Sequence, residues 1–364
     1  MRTLLRLIVT AGLVLGHSAC ADSAATGNDA AGSTADTTSG GDATAGAPTS
    51  YKPFDQANAD PYLLRVIAYE KVKTIVGDAK LAPGDFGLGC DKYNATSTAP
   101  SDATKLGSLY VESATLQTSV LKRKDKHADN AGADLGTAIN DQICASLAAG
   151  ATATAAVDAV GGVQWHGQFI QKSLLHYFYS AWYGYLLSGN RKDWDEGMAA
   201  LGKSFDGKVD SGLIGLAAKR DSLCGTMLAK DLWTKQLTGR AFLEAALTKE
   251  GKTANADTLT KLTPELEALA AQLDAKMQLV FALSVGHELN EIGKGKSAAV
   301  KLIEGRVFWQ VLKPRALAFD KAKGTKHAET LAQLEQDDPS KVDLAAGHAA
   351  VKAVWGVDAS ALCK

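Results

Sequence analysis

MQLVFALSVGHELNEIGKGKSAAVKLIEGRVFWQVLKPRALAFD, residues 277–320, is the stretch that decides the fold. Its apolar residues recur at helical spacing on both sides of a Gly-Lys-Gly turn at residues 293–295. Glycine readily adopts the backbone angles that end a helix. The stretch therefore predicts a hairpin of two antiparallel helices.

The first helix of this hairpin places a histidine and carboxylates close to the turn. His287 and Glu291 are four residues apart and share a helix face, with Glu288 beside them. Glu304 lies a comparable distance beyond the turn, so an antiparallel hairpin brings it towards that face. An imidazole and carboxylates that converge inside a helical bundle form a metal site. The alternative is a solvated hairpin end whose charges bind nothing, and the sequence leaves both interpretations open.

The rest of residues 51–364 also reads as helical, because no segment shows convincing β alternation. Residues 165–187 are the most aromatic segment and have apolar side chains on several faces, which predicts the central helix of a bundle. His176 lies within that segment and is interpreted as a core residue. We predict an all-α helical bundle that forms one folded domain.

The hairpin has a counterpart earlier in the chain, at about residues 164–206. Both copies place a long apolar helix before a glycine turn, then a Glu-Gly pair (Glu196-Gly197 and Glu304-Gly305), then Phe-Asp. A repeated helical hairpin predicts a bundle with approximate twofold symmetry. Counting back from Glu196 by the interval that separates Glu304 from His287 reaches Tyr179. A metal site is therefore asymmetric or confined to one copy.

Residues 1–21 predict a secretory signal peptide, with Arg2 and Arg6 before an apolar run too short to span a bilayer. The end of this segment, HSAC at residues 17–20, resembles a bacterial lipobox, in which the cysteine (here Cys20) is lipidated and becomes the mature N-terminus. The small residues around Cys20 also suit an ordinary signal peptidase, so a freely secreted form is the alternative. Residues 22–50 lack large apolar side chains and predict a disordered linker. We expect an exported protein in the periplasm or at the cell surface, anchored by lipid to the outer membrane.

The net charge and the cysteines restrict partners and compartment. A formal net charge of -1 gives no electrostatic case for nucleic-acid binding, and membrane contact is expected only through the lipid anchor. Apart from Cys20 there are four cysteines, an even number that suggests two disulfides in an exported protein, with three possible connectivities. Proximity along the chain favours Cys90–Cys144 and Cys224–Cys363.

The sequence offers little support for catalysis, because it has no GxSxG, Walker loop or HExxH motif. Gly286-His287-Glu288 resembles the start of the GxHxxE signature of imelysin-like peptidases. That signature has one residue between glycine and histidine, whereas here the two are adjacent. We therefore expect no enzymatic activity and keep an imelysin-like peptidase as an alternative.

Three short segments resemble the Fe-assimilating, high-CO2-inducible periplasmic protein family. LIEGRVFWQVLKP at residues 302–314 is similar to the family's EGxxFWRxxxP segment, residues 113–127 to its GSxLQxxVxxRxDxH segment, and residues 194–197 to its WDEG repeat. The resemblance implies an extracytoplasmic α-helical protein that takes part in iron assimilation, binds iron through carboxylates and histidines, and works with a membrane iron transporter.

The family-like segments and the hairpin together supply the predicted iron ligands. They are Glu196, Glu304, Asp125 and His127 from the family-like segments, and His287 and Glu291 from the hairpin. Iron prefers oxygen and imidazole ligands, which these residues provide. The competing hypothesis is a cell-surface structural or interaction lipoprotein that binds no metal.

Overall fold

The fold is all-α, as predicted, in a computed structural model that describes residues 53–87, 90, 105–111, 116–126, 132–202, 211–252 and 257–362. These residues contain no strand, and Asn190 and Thr258 form a single isolated bridge. The helices are α1 (Gln56–Val76), α2 (Leu106–Val111), α3 (Leu116–Leu121), α4 (Leu135–Ala151), α5 (Val163–Leu186), α6 (Arg191–Leu201), α7 (Gly212–Cys224), α8 (Leu228–Lys249), α9 (Pro264–Gly293), α10 (Ala298–Lys323), α11 (His327–Leu331), α12 (Leu344–Trp355) and α13 (Ala359–Leu362).

Helices α9 and α10 form the predicted hairpin. The Thr263 side chain caps α9, and Pro264 occupies its first turn, where a missing amide costs nothing. Helix α9 ends at Gly293, and Gly295 then takes a left-handed conformation with φ 75°. The two helices pack closely along their length. The prediction of an antiparallel hairpin is confirmed.

Helix α5 is central to the bundle, because it contacts α1, α4, α6, α7, α9 and α10. The rings of Tyr177, Phe178 and Trp182 are fully buried along it. The Trp182 indole donates a hydrogen bond of 3.0 Å to the Gln236 side chain on α8, so its polar atom is satisfied inside the core. This confirms the prediction of a central helix in the aromatic segment.

Helices α5 and α6 form the earlier hairpin. Gly189 adopts φ 65° in the turn, and the Asn190 side chain caps α6 by accepting hydrogen bonds from two amides of its first turn. The Phe-Asp pair at residues 205–206 lies outside the described residues. The hairpin itself occupies the predicted place in the sequence.

One predicted disulfide is confirmed and the other is described in part. Cys90 and Cys144 are bonded and link the segment after the first helix to α4. Cys224 also takes part in a disulfide, and its predicted partner Cys363 lies outside the described residues. Disulfides persist mainly in oxidising compartments, so the Cys90–Cys144 bond agrees with export.

The signal segment, the lipidation candidate Cys20 and the predicted linker all lie outside the described residues. Export and the lipid anchor therefore stay predictions. Helix α9 is long and apolar enough to cross a membrane by composition, but 67% of its most apolar window is buried in the protein. Such burial is typical of a core helix in a bundle.

Candidate functional site

The hairpin carboxylate Glu304 lies inside the bundle, where two lysines pair with it. Its side chain is 6% exposed. Its carboxylate oxygens lie 3.1 Å from Lys172 Nζ on α5 and 3.0 Å from Lys301 Nζ on α10. Two ammonium groups at these distances neutralise the carboxylate that the sequence assigns to a metal.

Glu288 extends the same arrangement and is buried still more deeply, at 1% exposure. Its two oxygens lie 3.5 Å from Lys301 Nζ and 3.7 Å from Arg220 Nη2 on α7. Cations and carboxylates therefore alternate along one series of contacts, which we call the charge cluster: Arg220, Glu288, Lys301, Glu304 and Lys172.

The two carboxylates of the charge cluster have opposite pKa shifts. Burial, followed by the charge of Glu304, raises the pKa of Glu288 to about 7. Burial also acts to raise the pKa of Glu304, but its two short lysine contacts outweigh that effect and lower it. Since Glu288 has only the two longer contacts, geometry and charge agree that Glu304 is the carboxylate that stays ionised.

His287 and Glu291 lie on the same helix beside the charge cluster. His287 is half-buried, and its Nδ1 atom has no hydrogen-bond partner among the described residues. Burial, with smaller effects of Arg220 and Lys301, lowers the pKa of His287 to about 4, so the imidazole is neutral at physiological pH. Glu291 accepts a hydrogen bond of 2.6 Å from Lys294 at the surface of the turn.

Glu196, from the earlier hairpin, has a different environment. Its side chain is 16% exposed, and the nearest ammonium group is that of Lys192, at 3.9 Å. Within the described part of the chain, no group of three or more His, Cys, Asp or Glu residues has the geometry to hold a metal ion. The structure therefore shows a charge cluster at the later hairpin, and the assignment of Glu196, His287, Glu291 and Glu304 to iron stays a prediction.

Asp125 lies elsewhere, in a pocket of about 360 Å³ between the start of α4, the middle of α5 and α10. Asp125 and His176 both line this pocket and are both buried. Tyr179 also lines it, and its hydroxyl donates to Asp274 at 2.5 Å. His127, the other predicted ligand of this segment, lies outside the described residues.

Helix α10 adds a backbone feature to the wall of this pocket. Gln310 and Pro314 both line it, four residues apart on the helix. Because proline has no N–H, the Gln310 carbonyl lacks its usual helical donor.

The sequence analysis missed several residues of the charge cluster and of the Asp125 pocket. His176 was interpreted as a core residue, and its burial is as expected, but it also lines a pocket with Asp125. Lys172 and Arg220 of the charge cluster were not singled out. A signal existed for Lys172, because a lysine inside the most aromatic segment needs a buried partner.

Comparison of the chain with protein-family models, curated proteins and solved structures found no match. The resemblance of its short segments to an iron-assimilation family therefore stays a prediction.

Proposed function

We propose that the protein is an exported iron-binding protein that contributes to iron assimilation, and that Asp125 and His176 hold the metal. The observation that carries this proposal is that a predicted carboxylate ligand and a buried imidazole line one pocket. Carboxylate oxygen and imidazole nitrogen are the ligand types that iron accepts in non-haem sites.

The pocket supports the proposal better than the hairpin does. In the charge cluster, lysines and an arginine already balance both carboxylates, so a cation placed there would be repelled by them. Lys313 is the one cationic residue among those that line the Asp125 pocket, and it pairs with Glu335 at 2.8 Å.

The ligand set needs more than two protein groups, and the sequence offers a third. His127 follows Asp125 by two residues, and we include it in the proposed set together with the Gln310 carbonyl. Tyr179 is excluded as a phenolate ligand, because burial and then Asp274 raise its pKa well above the usual value. A protein anchored at Cys20 would then deliver iron to a membrane transporter, the partner that the family resemblance implies.

The test is iron titration of the full chain, freed of metal, followed by calorimetry and by metal analysis after desalting. Asp125→Asn and His176→Gln should each weaken iron binding by about tenfold or more, since each removes one metal–ligand bond. Glu291→Gln is the matched control, because it removes a predicted ligand that is already bonded to Lys294 at the surface.

A third variant distinguishes a metal site in the Asp125 pocket from one at the later hairpin. Glu304→Gln should leave iron binding unchanged if the pocket holds the metal. Loss of iron in Glu304→Gln but not in Asp125→Asn would move the site to the hairpin. If the unmodified chain binds no iron, the assimilation proposal fails and the surface lipoprotein without metal becomes the better hypothesis.

A further inference from the structure

A second, smaller pocket of about 60 Å³ lies between α1, α5 and α7, and every charged residue that lines it is a cation. These cations are Lys73, Lys172, Lys219 and Arg220, and the other lining residues are polar or apolar without charge. The volume suits a group of roughly five water-sized atoms, since one such atom needs about 10–15 Å³ in this measure. A pocket of this size with positively charged walls is a site for a small anion.

The carboxylates that pair with these cations do not line the pocket. Glu304 pairs with Lys172, Glu288 with Arg220, and Glu70 with Lys73. Lys219 forms no ion pair with any residue that the structure describes. Partial desolvation, followed by repulsion from Lys172 and Arg220, lowers the pKa of Lys219. Because no described carboxylate pairs with Lys219, the wall of the pocket carries a surplus of positive charge. An anion in the pocket would offset this surplus.

Arg220 gives a second, independent reason to expect an anion in this pocket. Its side chain is 2% exposed, and its Nε and Nη1 atoms have no hydrogen-bond partner within the described part of the chain. Among the described residues, the ion-pair partner of its Nη2 atom is Glu288, at 3.7 Å. Buried donors without partners are rare and unfavourable, so a guanidinium in this state points to a missing acceptor.

The N-terminus of α7 does not carry the argument. Its first amide, that of Gly212, already donates to the Glu70 carboxylate at 3.3 Å. The site depends instead on side chains from three helices that meet around one pocket.

We propose that this pocket binds a small tetrahedral oxyanion of phosphate chemistry, either inorganic phosphate or the phosphate group of a small phosphomonoester. The Nε and Nη1 atoms of Arg220, which have no partner among the described residues, donate hydrogen bonds to phosphate oxygens, and Lys172 and Lys219 neutralise the charge. Phosphate fits better than a carboxylate, because its additional oxygens reach donors on more than one side of the pocket. This site is separate from the iron proposal and does not depend on it.

The experiment measures binding of inorganic phosphate, and separately of glycerol phosphate, to the full chain by calorimetry at constant ionic strength. Lys219→Ala should weaken phosphate binding by about tenfold, the usual effect of losing one charge-assisted contact. Lys219 is exposed and in no ion pair, so this variant keeps its fold, which circular dichroism checks. Lys230→Ala is the control, because it removes an exposed lysine of α8 that lies outside the pocket.

A second variant tests the arginine without removing its charge. Arg220→Lys keeps the cation beside Glu288 but loses the planar guanidinium, and it should weaken phosphate binding by about tenfold or more while circular dichroism shows that the fold is retained. Binding of phosphate alone identifies a free ion as the ligand, and binding of both compounds identifies a phosphomonoester. The proposal is overturned if phosphate does not bind at concentrations up to about 10 mM, or if Lys219→Ala and Lys230→Ala have equal effects.

Discussion

The two hairpins of the bundle share a Glu-Gly pair but place it in different surroundings. In the later hairpin Glu304 is buried and held by two lysines, whereas in the earlier hairpin Glu196 is partly exposed and has one ammonium group, at 3.9 Å. In both hairpins the glycine that follows lies against the partner helix. A Cβ at Gly305 would lie 3.4 Å from Glu288 Cβ, and one at Gly197 would lie 3.3 Å from Tyr185 Cβ.

The comparison shows that the partner helix decides the surroundings of each Glu-Gly pair. Opposite Gly305 the partner helix provides a second carboxylate, which requires cations from elsewhere in the bundle. Opposite Gly197 the partner helix provides Tyr185, a neutral side chain that needs no cation to balance it. Both copies therefore place the glycine against the partner helix, and the charge cluster lies at the later copy.

The largest expected difference between the copies is in stability. Glu304→Ala should lower the free energy of unfolding by about 3–5 kcal/mol, because it leaves Lys172 buried without its carboxylate. Glu196→Ala should lower it by about 1 kcal/mol or less, as for other weak and partly exposed pairs. Urea denaturation of the two variants beside the unmodified chain measures both values.

A double variant provides the control for this comparison. Glu304→Ala combined with Lys172→Met should be more stable than Glu304→Ala alone, because no unpaired charge then remains at that position. Equal losses for Glu304→Ala and Glu196→Ala would contradict the distinction between the two copies.

The next difference is in the dependence of stability on pH. The pKa of Glu288 rises from its usual 4.5 to about 7 on folding, so between these values the folded state holds a proton that the unfolded state has released. This contribution to stability is present at low pH and is lost as the pH rises towards 7. In Glu288→Gln the loss should be absent, since glutamine mimics the protonated acid.

The measurement is the change in unfolding free energy between about pH 5 and pH 7, which should differ between the unmodified chain and Glu288→Gln by about 1–3 kcal/mol. The comparison with Glu288→Gln is needed because titration of His287 changes the unfolding free energy with pH in the opposite direction. Its pKa is lowered to about 4, so its contribution is lost as the pH falls below 6.5. Equal changes in the two proteins would show that Glu288 does not titrate in this range.

The smallest difference concerns the glycines. Gly305→Ala should stabilise the protein by about 0.5–1 kcal/mol, because alanine favours the helix and its methyl group makes only ordinary contacts with Glu288 and Leu334. Gly197→Ala should gain a few tenths of a kcal/mol less, because its methyl group is closer to Tyr185 than most contacts allow. Thermal or urea denaturation that showed Gly305→Ala to be the less stable variant would reverse this ranking.

The sequence predicted the fold well, because the signals for it are local. Helical periodicity, the Thr-Pro start of α9 and the glycine turn at residues 293–295 each act within a few residues. The Cys90–Cys144 bond matches the pairing that proximity along the chain favoured among three possible connectivities.

The sites were less predictable, because their chemistry depends on helices distant in sequence. Counting along one hairpin predicted that Glu304 lies near His287 and Glu291. The cations that pair with Glu304 and Glu288 include Lys172 and Arg220, which come from α5 and α7. Counting also made Tyr179 the equivalent of His287 in the earlier hairpin, whereas the residue beside Gly197 is Tyr185. Tyr185 precedes Gly197 by 12 positions and Glu288 precedes Gly305 by 17, so the two hairpins differ in register and an equal count cannot align them.

The charge cluster also has a consequence for how the chain reaches its native state. Its members come from α5, α7, α9 and α10, which span more than a hundred residues. Docking of α9 against α10 brings two carboxylates together with one lysine, so their complete burial is favourable only when α5 and α7 bring Lys172 and Arg220. Partly assembled bundles are therefore penalised, and the four helices are expected to consolidate together. A chain truncated before α10 should remain loosely packed, because it lacks the helix that packs along α5 and α9 and that provides Glu304 to Lys172.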